Sequence, residues 1–296
     1  MQPSALLQFI VTGITVGSVY ALVALGFTVI YNATGIINFA QGEFVVLGAL
    51  LFYSLHVTAH LPLLLALLVA VAGVTCLALV MERLAIRPVR GAPVVTLIII
   101  TVGASVLLQG MAKLVWGPDA LPVPAFSGER SFFLGPAAVD GQYLWVLALA
   151  ALAVVSIHLF FTRTLTGKAM QACAINREAA HLVGINVTRV VQLAFALSGA
   201  VSALAGIVIS PITFASYSGG TLLGLKGFCG AIVGGLGNGL GAVLGGILVG
   251  VLENLGVGLA PPGYSGYRDA FSFVLLLLVL FLRPAGLLGR RRTEGL

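Results

Sequence analysis

The chain has 296 residues, of which 59% are hydrophobic and 8% charged, with a mean hydropathy of +1.12. Soluble domains carry roughly 25% charged residues, so water is excluded as the solvent for most of this surface. The net charge of +6 lies in short basic runs between apolar segments, which membrane topology explains without a nucleic acid or an anionic ligand.

The first apolar run, 6–31, lacks a basic leader and a small-residue cleavage site and is too long for a signal-peptide core; it is read as a retained helix. Further runs follow at 36–55, 62–82, 93–116, 142–162 and 190–212, then a Gly-rich region at 224–256 and a last run at 269–283. A crossing needs about 20 apolar residues, so the fold class predicted is an all-α, polytopic transmembrane helical bundle of about eight or nine membrane segments. One domain is expected over 1–296.

Arg83, Arg87 and Arg90 follow the third run; Arg163, Lys168, Arg177 and Arg189 lie between the fifth and sixth; Arg283, Arg290, Arg291 and Arg292 follow the last. Lys and Arg are retained in the cytoplasm during insertion, so these segments should share that side, with the acidic Asp119–Asp140 loop, including Glu129, opposite. Counting back puts the N-terminus outside and the C-terminus in the cytoplasm. Parity then requires 224–256 to enter and leave by one side, as two short helices, 224–236 and 240–256, meeting near Gly237–Gly239. A polar interruption at Asn32–Glu43 comes in the same way before an apolar stretch containing Gly48. Paired interruptions in two halves point to inverted repeats, and the two breaks are expected to face a common cavity.

Catalytic signatures are weak. Thr164-Leu165-Thr166-Gly167-Lys168-Ala169 lacks the upstream glycine and following hydroxyl of a phosphate-binding loop, and no HExxH helix occurs. Gly263-Tyr264-Ser265-Gly266 resembles the serine turn of rhomboid-type proteases, but all four histidines (His56, His60, His158, His181) precede it. His56 and His60 are spaced for a metal clamp yet sit beside Pro62 at a span end, where an interfacial role is expected. Cys76, Cys173 and Cys229 form no CxxC pair and are read as packing residues. Glu43 is the main intramembrane candidate for a pathway role, since charge there is costly. Glu253 and Lys226 are expected to be solvated near span ends.

The loop 163–189 carries the most specific local signal. Asn176 is placed to cap a helix Arg177–Val183, Glu178 complements its N-terminal dipole, and Gly184 suits a left-handed residue after its end. Ala179, Leu182 and Val183 give it an apolar face with no membrane to bury in.

Glu178-Ala179-Ala180-x-x-x-Gly184 resembles the EAA signature of ABC importer permeases, although the downstream Ile-x-Leu-Pro part is absent. The stretch Tyr20-Ala21-Leu22, Leu25-Gly26 and Gly35-Ile36-Ile37-Asn38-Phe39-Ala40-Gln41-Gly42-Glu43 is similar to the LivH-type permeases of branched-chain amino acid importers. So are Gly234-Gly235-Leu236-Gly237-Asn238 and Arg283-Pro284-x-Gly286-Leu287. The resemblance implies a non-catalytic permease in a bacterial inner membrane, carrying branched-chain amino acids; close relatives carry urea, short amides or other hydrophobic amino acids. Its implied partners are a LivM-type permease, two cytoplasmic ABC ATPases that use the ATP and magnesium, and an extracytoplasmic substrate-binding protein. No cofactor is expected on this subunit, and no nucleic acid. The residues implied for ATPase coupling are Arg177, Glu178, Ala179, Ala180 and Gly184. Those implied for the translocation path are Asn38, Gln41, Gly42, Glu43, Gly235, Gly237, Asn238 and Gly239.

Overall fold

A computed structural model describes residues 3–128, 131–134, 137–259 and 268–289. The Gly263–Gly266 turn, Glu129 and Arg290–Arg292 lie outside the described residues. Helix α1 (Pro3–Thr34) leads into α2 (Gln41–Phe52), which continues as a π-helical segment to Thr58. Then come α3 (Leu63–Met81), extended through π and 3-10 turns to Val89, and α4 (Val94–Trp116). A short antiparallel hairpin, β1 (Ser131–Leu134) with β2 (Ala137–Asp140), precedes α5 (Gly141–Arg163) and was not foreseen from the sequence. The rest is α6 (Leu165–Ile175), α7 (Arg177–Leu182), α8 (Val187–Thr213), α9 (Gly220–Gly234), α10 (Gly239–Leu259) and α11 (Arg268–Leu282).

Among the described residues, six helices are long and apolar enough to span a bilayer: α1, α3, α4, α5, α8 and α10. The shorter α2, α9 and α11 complete the bundle. In α1 and α8, 67% and 72% of the most apolar stretch is buried inside the protein, against 17% in α4, so α1 and α8 form the centre. Small residues permit that centre to close. Gly13 and Gly17 of α1 face Gly246 and Gly250 of α10, and a Cβ on Gly13 would lie 2.7 Å from the Val251 Cα. Lipid supplies no hydrophobic drive between helices, so this close backbone packing is what holds the pair.

The bundle is built twice. α1 packs on α9 and α10 while α8 packs on α2 and α3; α2 meets α4 as α9 meets α11; and α2 meets α9. The breaks are equally long, 35–40 after α1 and 214–219 after α8, and each opens on a left-handed residue, Gly35 (φ 71°) or Phe214 (φ 60°). Each half therefore reads as long helix, break, short helix, spanning helix.

Cross-contacts sort the ends of the helices. The Asn32 amide donates to the Gly237 carbonyl (2.9 Å), Arg177 donates to the Ala33 carbonyl (2.6 Å), Arg90 donates to Thr188 (3.0 Å) and Leu287 N–H donates to Val233. These bonds gather the ends of α1 and α3, the loop 163–189, the α9–α10 turn and the chain after α11 at one end of the bundle. Arg90, Arg163, Lys168, Arg177, Arg189 and Arg283 are on elements at that end. At the other, Trp116 donates to Ser54 (2.6 Å), and Leu121 pairs with Ala215 through backbone bonds. The start of α1 and residue 283 lie at opposite ends of the bundle.

Candidate translocation site and coupling helix

Helix α2 begins inside the bundle, not at its end. Gln41 donates to Ser202 Oγ (2.5 Å) and accepts from Ser198, whose hydroxyl also lies 3.1 Å from the Gly26 carbonyl. Gly26 precedes the end of α1 by eight residues, about 12 Å at 1.5 Å per residue, so the break at 35–40 folds back into the interior. Asn38 is fully buried; its Oδ1 accepts from Ala40 N–H (3.1 Å), while its Nδ2 has no partner among the described contacts.

Beside this turn the second short helix also starts. A Cβ on Gly224 would sit 3.2 Å from the Gly42 Cα, so the two helices touch backbone to backbone. Gly220, at the start of α9, lies against the Glu43 carboxylate, which a Cβ there would approach to 2.5 Å. Glu43 is 1% exposed and accepts from Ser105 of α4 (3.0 Å) and Thr221 of α9 (3.3 Å). The free N–H groups and positive dipole end of α9 favour an anion at this point. The carboxylate is thus held by three elements deep in the bundle. Next to it lies a cavity of about 140 Å³ lined by Phe27, Phe39, Val102, Ser105, Thr221 and Phe228, among others.

The Gly-rich segment occupies a different place from that expected. Gly235 (φ 106°), Gly237 (φ 97°), Asn238 and Gly239 form the tight turn joining α9 to α10 at the basic end, where Asn238 caps α10 by accepting from Gly241 N–H (3.1 Å). Leu236–Gly239 line a cavity of about 1060 Å³ with the ends of α1 and α5 and with α6. Asn38–Glu43 do not line it. The interior break matching 35–40 is 214–219. Sequence reasoning missed it because Phe214, not glycine, takes the left-handed position; the legible signal was the polar run Ser216-Tyr217-Ser218-Gly219-Gly220.

Glu253 and Lys226 are not solvated at span ends. They are 0% and 4% exposed and ion-paired at 2.9 Å, and Lys226 also pairs with Asp269 (2.6 Å). Arg268 (2.6 Å) and Ser272 (2.8 Å) donate to the same Glu253 carboxylate, which also contacts Tyr20. Burying an ion in hydrocarbon is costly unless it is paired, and among the described residues α1, α9, α10 and α11 supply the partners. The histidine pair makes no clamp. His56 Nδ1 bonds with the Leu61 carbonyl (2.9 Å), and His60 lies beyond the helical turn with φ 54°.

In the loop between α5 and α8, Thr164 caps α6 by accepting from Gly167 N–H (3.0 Å), which gives the phosphate-loop-like fragment a structural role. Asn176 caps α7 by accepting from Ala179 N–H (3.0 Å). The helix ends one residue earlier than expected, in a Schellman motif: Gly184 (φ 87°) donates to His181 (3.0 Å) and Ile185 to Ala180 (3.0 Å). Ala180 is buried, whereas Ala179 and Glu178 are exposed, with Leu182 and Val183 at 85% and 77%. Arg177 ties the other face to the last turn of α1, whose free carbonyls favour a cation. Cys173, under this helix, has its thiol pushed up by burial, partly opposed by Arg177, and stays protonated at neutral pH.

A multi-pass bundle with two interior short helices, an inverted repeat and an exposed capped helix at its basic end defines a membrane transport protein. The family described as "Branched-chain amino acid transport system / permease component" matches residues 9–280, and the chain belongs to that family. It is 33% identical over 97% of its length, and 97% of the relative's, to the high-affinity branched-chain amino acid transport system permease protein LivH of Escherichia coli (strain K12). The permease protein BraD of Pseudomonas aeruginosa is also 33% identical, with the same coverage. Among solved structures, PsaBC from Streptococcus pneumoniae in complex with Fab matches 94% of this chain and 92% of that one, with a TM-score of 0.50 and 16% identity, a likeness of fold.

Proposed function

We propose that this subunit is the membrane permease of an ATP-driven importer of branched-chain amino acids. The observation that carries the reading is the α7 helix: capped at both ends, apolar and exposed on one face, and tied by Arg177 to the last turn of central helix α1. An ATPase docked on Leu182 and Val183 would pull on α1. Asn32, next to that bond, holds the α9–α10 turn through Gly237, so a push on α7 reaches both halves of the inverted repeat. The family match and the permeases LivH and BraD support the substrate class.

In this reading the basic end faces the cytoplasm of a bacterial inner membrane, the N-terminus lies outside, and Arg177, Glu178, Ala179, Ala180 and Gly184 form the coupling element. Substrate moves past the interior breaks near Asn38, Gln41, Gly42 and Glu43, then towards the basic-end cavity bordered by Gly237, Asn238 and Gly239. Gly235 sets the turn beside it. The partners are a LivM-type second permease, two ATPases holding ATP and magnesium, and an external binding protein. The subunit itself binds no cofactor and performs no bond chemistry. Affinity purification from mild detergent tests the reading: two ATP-binding proteins and a second permease should co-purify, and their loss on Leu182→Asp would place them on α7. A chain that purifies alone and conducts amino acids without ATP would overturn it.

A further inference from the structure

We propose that the small cavity beside Glu43 recognises the ammonium group of an apolar amino acid. The proposal rests on the importer reading and names what one wall of the path reads. Ser105 and Thr221 line the cavity, and each hydroxyl has a single proton, donated to Glu43 Oε1 at 3.0 and 3.3 Å. Each oxygen keeps lone pairs that can accept, and Gln109, also on the lining, adds an amide that can accept or donate. Behind this wall lies the Glu43 carboxyl group, 1% exposed at the N-terminal end of α9, where the helix dipole favours its ionised form, and none of the lining residues is cationic. The N–H groups at the start of α9 are directed to Glu43, and with that carboxyl group behind two hydroxyls and no cation on the lining, an ammonium is favoured over a second carboxylate.

The opposite wall is apolar. Phe27 and Phe39 each tilt against Phe228, at 5.7 and 5.8 Å between ring centroids, and Val102 completes the surface. Such a wall suits an aliphatic side chain. At about 140 Å³ the space is well below the roughly 300–1,000 Å³ of drug-sized sites, which fits a ligand of few heavy atoms. The chemistry defined is a small aliphatic ammonium compound, an apolar amino acid held by its amino end.

The test uses the complete transporter in nanodiscs, with Cys76, Cys173 and Cys229 replaced by alanine and Val102→Cys as the reporter. Val102 lines the cavity without joining its polar wall. Rates of modification by 2-aminoethyl and by 2-sulfonatoethyl methanethiosulfonate are each normalised to a free thiol. The cationic reagent should win by about tenfold, as a buried carboxylate nearby requires. L-leucine should slow it several-fold, 4-methylpentanoate should not, and Glu43→Gln should abolish the charge preference. Equal rates for both reagents, equal protection by 4-methylpentanoate, or an unaltered preference in Glu43→Gln would overturn the proposal; the last would mark Glu43 as a cap of α9 alone. ATP-driven leucine uptake by the wild type is measured in parallel. If uptake is absent while the charge preference persists, the importer reading falls and the ammonium site stands; uptake without the preference overturns the site alone.

Discussion

Glu253 shows how a single side chain can hold an intramembrane junction. Its carboxylate serves Lys226, Arg268 and Ser272 together, so Glu253→Leu leaves the buried Lys226 with Asp269 as its remaining ion-pair partner and frees the partly exposed Arg268. Removing one partner of a buried pair typically costs about 3–5 kcal/mol, whereas removing both is often neutral. Thermal unfolding in detergent should therefore drop markedly for Glu253→Leu and recover in part in Glu253→Leu/Lys226→Met; a double variant no more stable than the single would contradict this. Gly237 is the second such position. With φ 97° and a would-be Cβ 3.3 Å from Asn32 Oδ1, it admits no β-substituent without strain, of order 1–3 kcal/mol. Gly237→Leu should insert and assemble yet lose most uptake, because the Asn32 bond that links α1 to the α9–α10 turn is displaced; unimpaired uptake would make the turn a mere connector. Neither role was legible beforehand. Lys226 and Glu253 are far apart in sequence, and only the packing of α9 on α10 reveals that their costs cancel.

Among the elements, α7 was the most readable, since its signals are local: a cap, a first-turn acid and a terminal glycine, each acting within a few residues. Gly184→Val resists φ 87° and should cost about 1–3 kcal/mol at that end of the helix. Glu178→Lys reverses a favourable dipole contact worth a few tenths to about 1 kcal/mol and changes the charge shown to a partner. Both proteins should reach the membrane in normal amounts, and both should lose ATPase retention on purification; wild-type retention in both would remove α7 from the coupling route. The short helices were harder to read. The 35–40 break carries Gly35 and Asn38 and stood out, but its counterpart at 214–219 places Phe214 where glycine was the expected marker. The glycines at 235–239 then drew the second break to a surface turn. Composition finds glycines; it does not say whether a glycine permits a left-handed turn, as Gly237 does, or a backbone contact, as Gly224 does against Gly42.

For the whole molecule, the class of polytopic helical bundle followed from hydropathy, and the grouping of basic segments at one end followed from the positive-inside rule. The inverted repeat was foreseen as a pattern, yet its register, α1 to α4 against α8 to α11, rests on long-range packing. Sidedness is open to direct measurement: on a cysteine-free background, Lys168→Cys should resist an impermeant maleimide in intact cells and Asp119→Cys should react. External labelling at position 168 would invert the topology. The central claim is that this permease couples ATP hydrolysis to amino acid entry. Its most direct test is simultaneous measurement of radiolabelled leucine accumulation and phosphate release in proteoliposomes containing the full complex and its binding protein. The account expects accumulation against a gradient that requires ATP and is uncoupled from hydrolysis by Gly184→Val. Equilibration without ATP, or a wild-type ratio of uptake to hydrolysis in that variant, would contradict it.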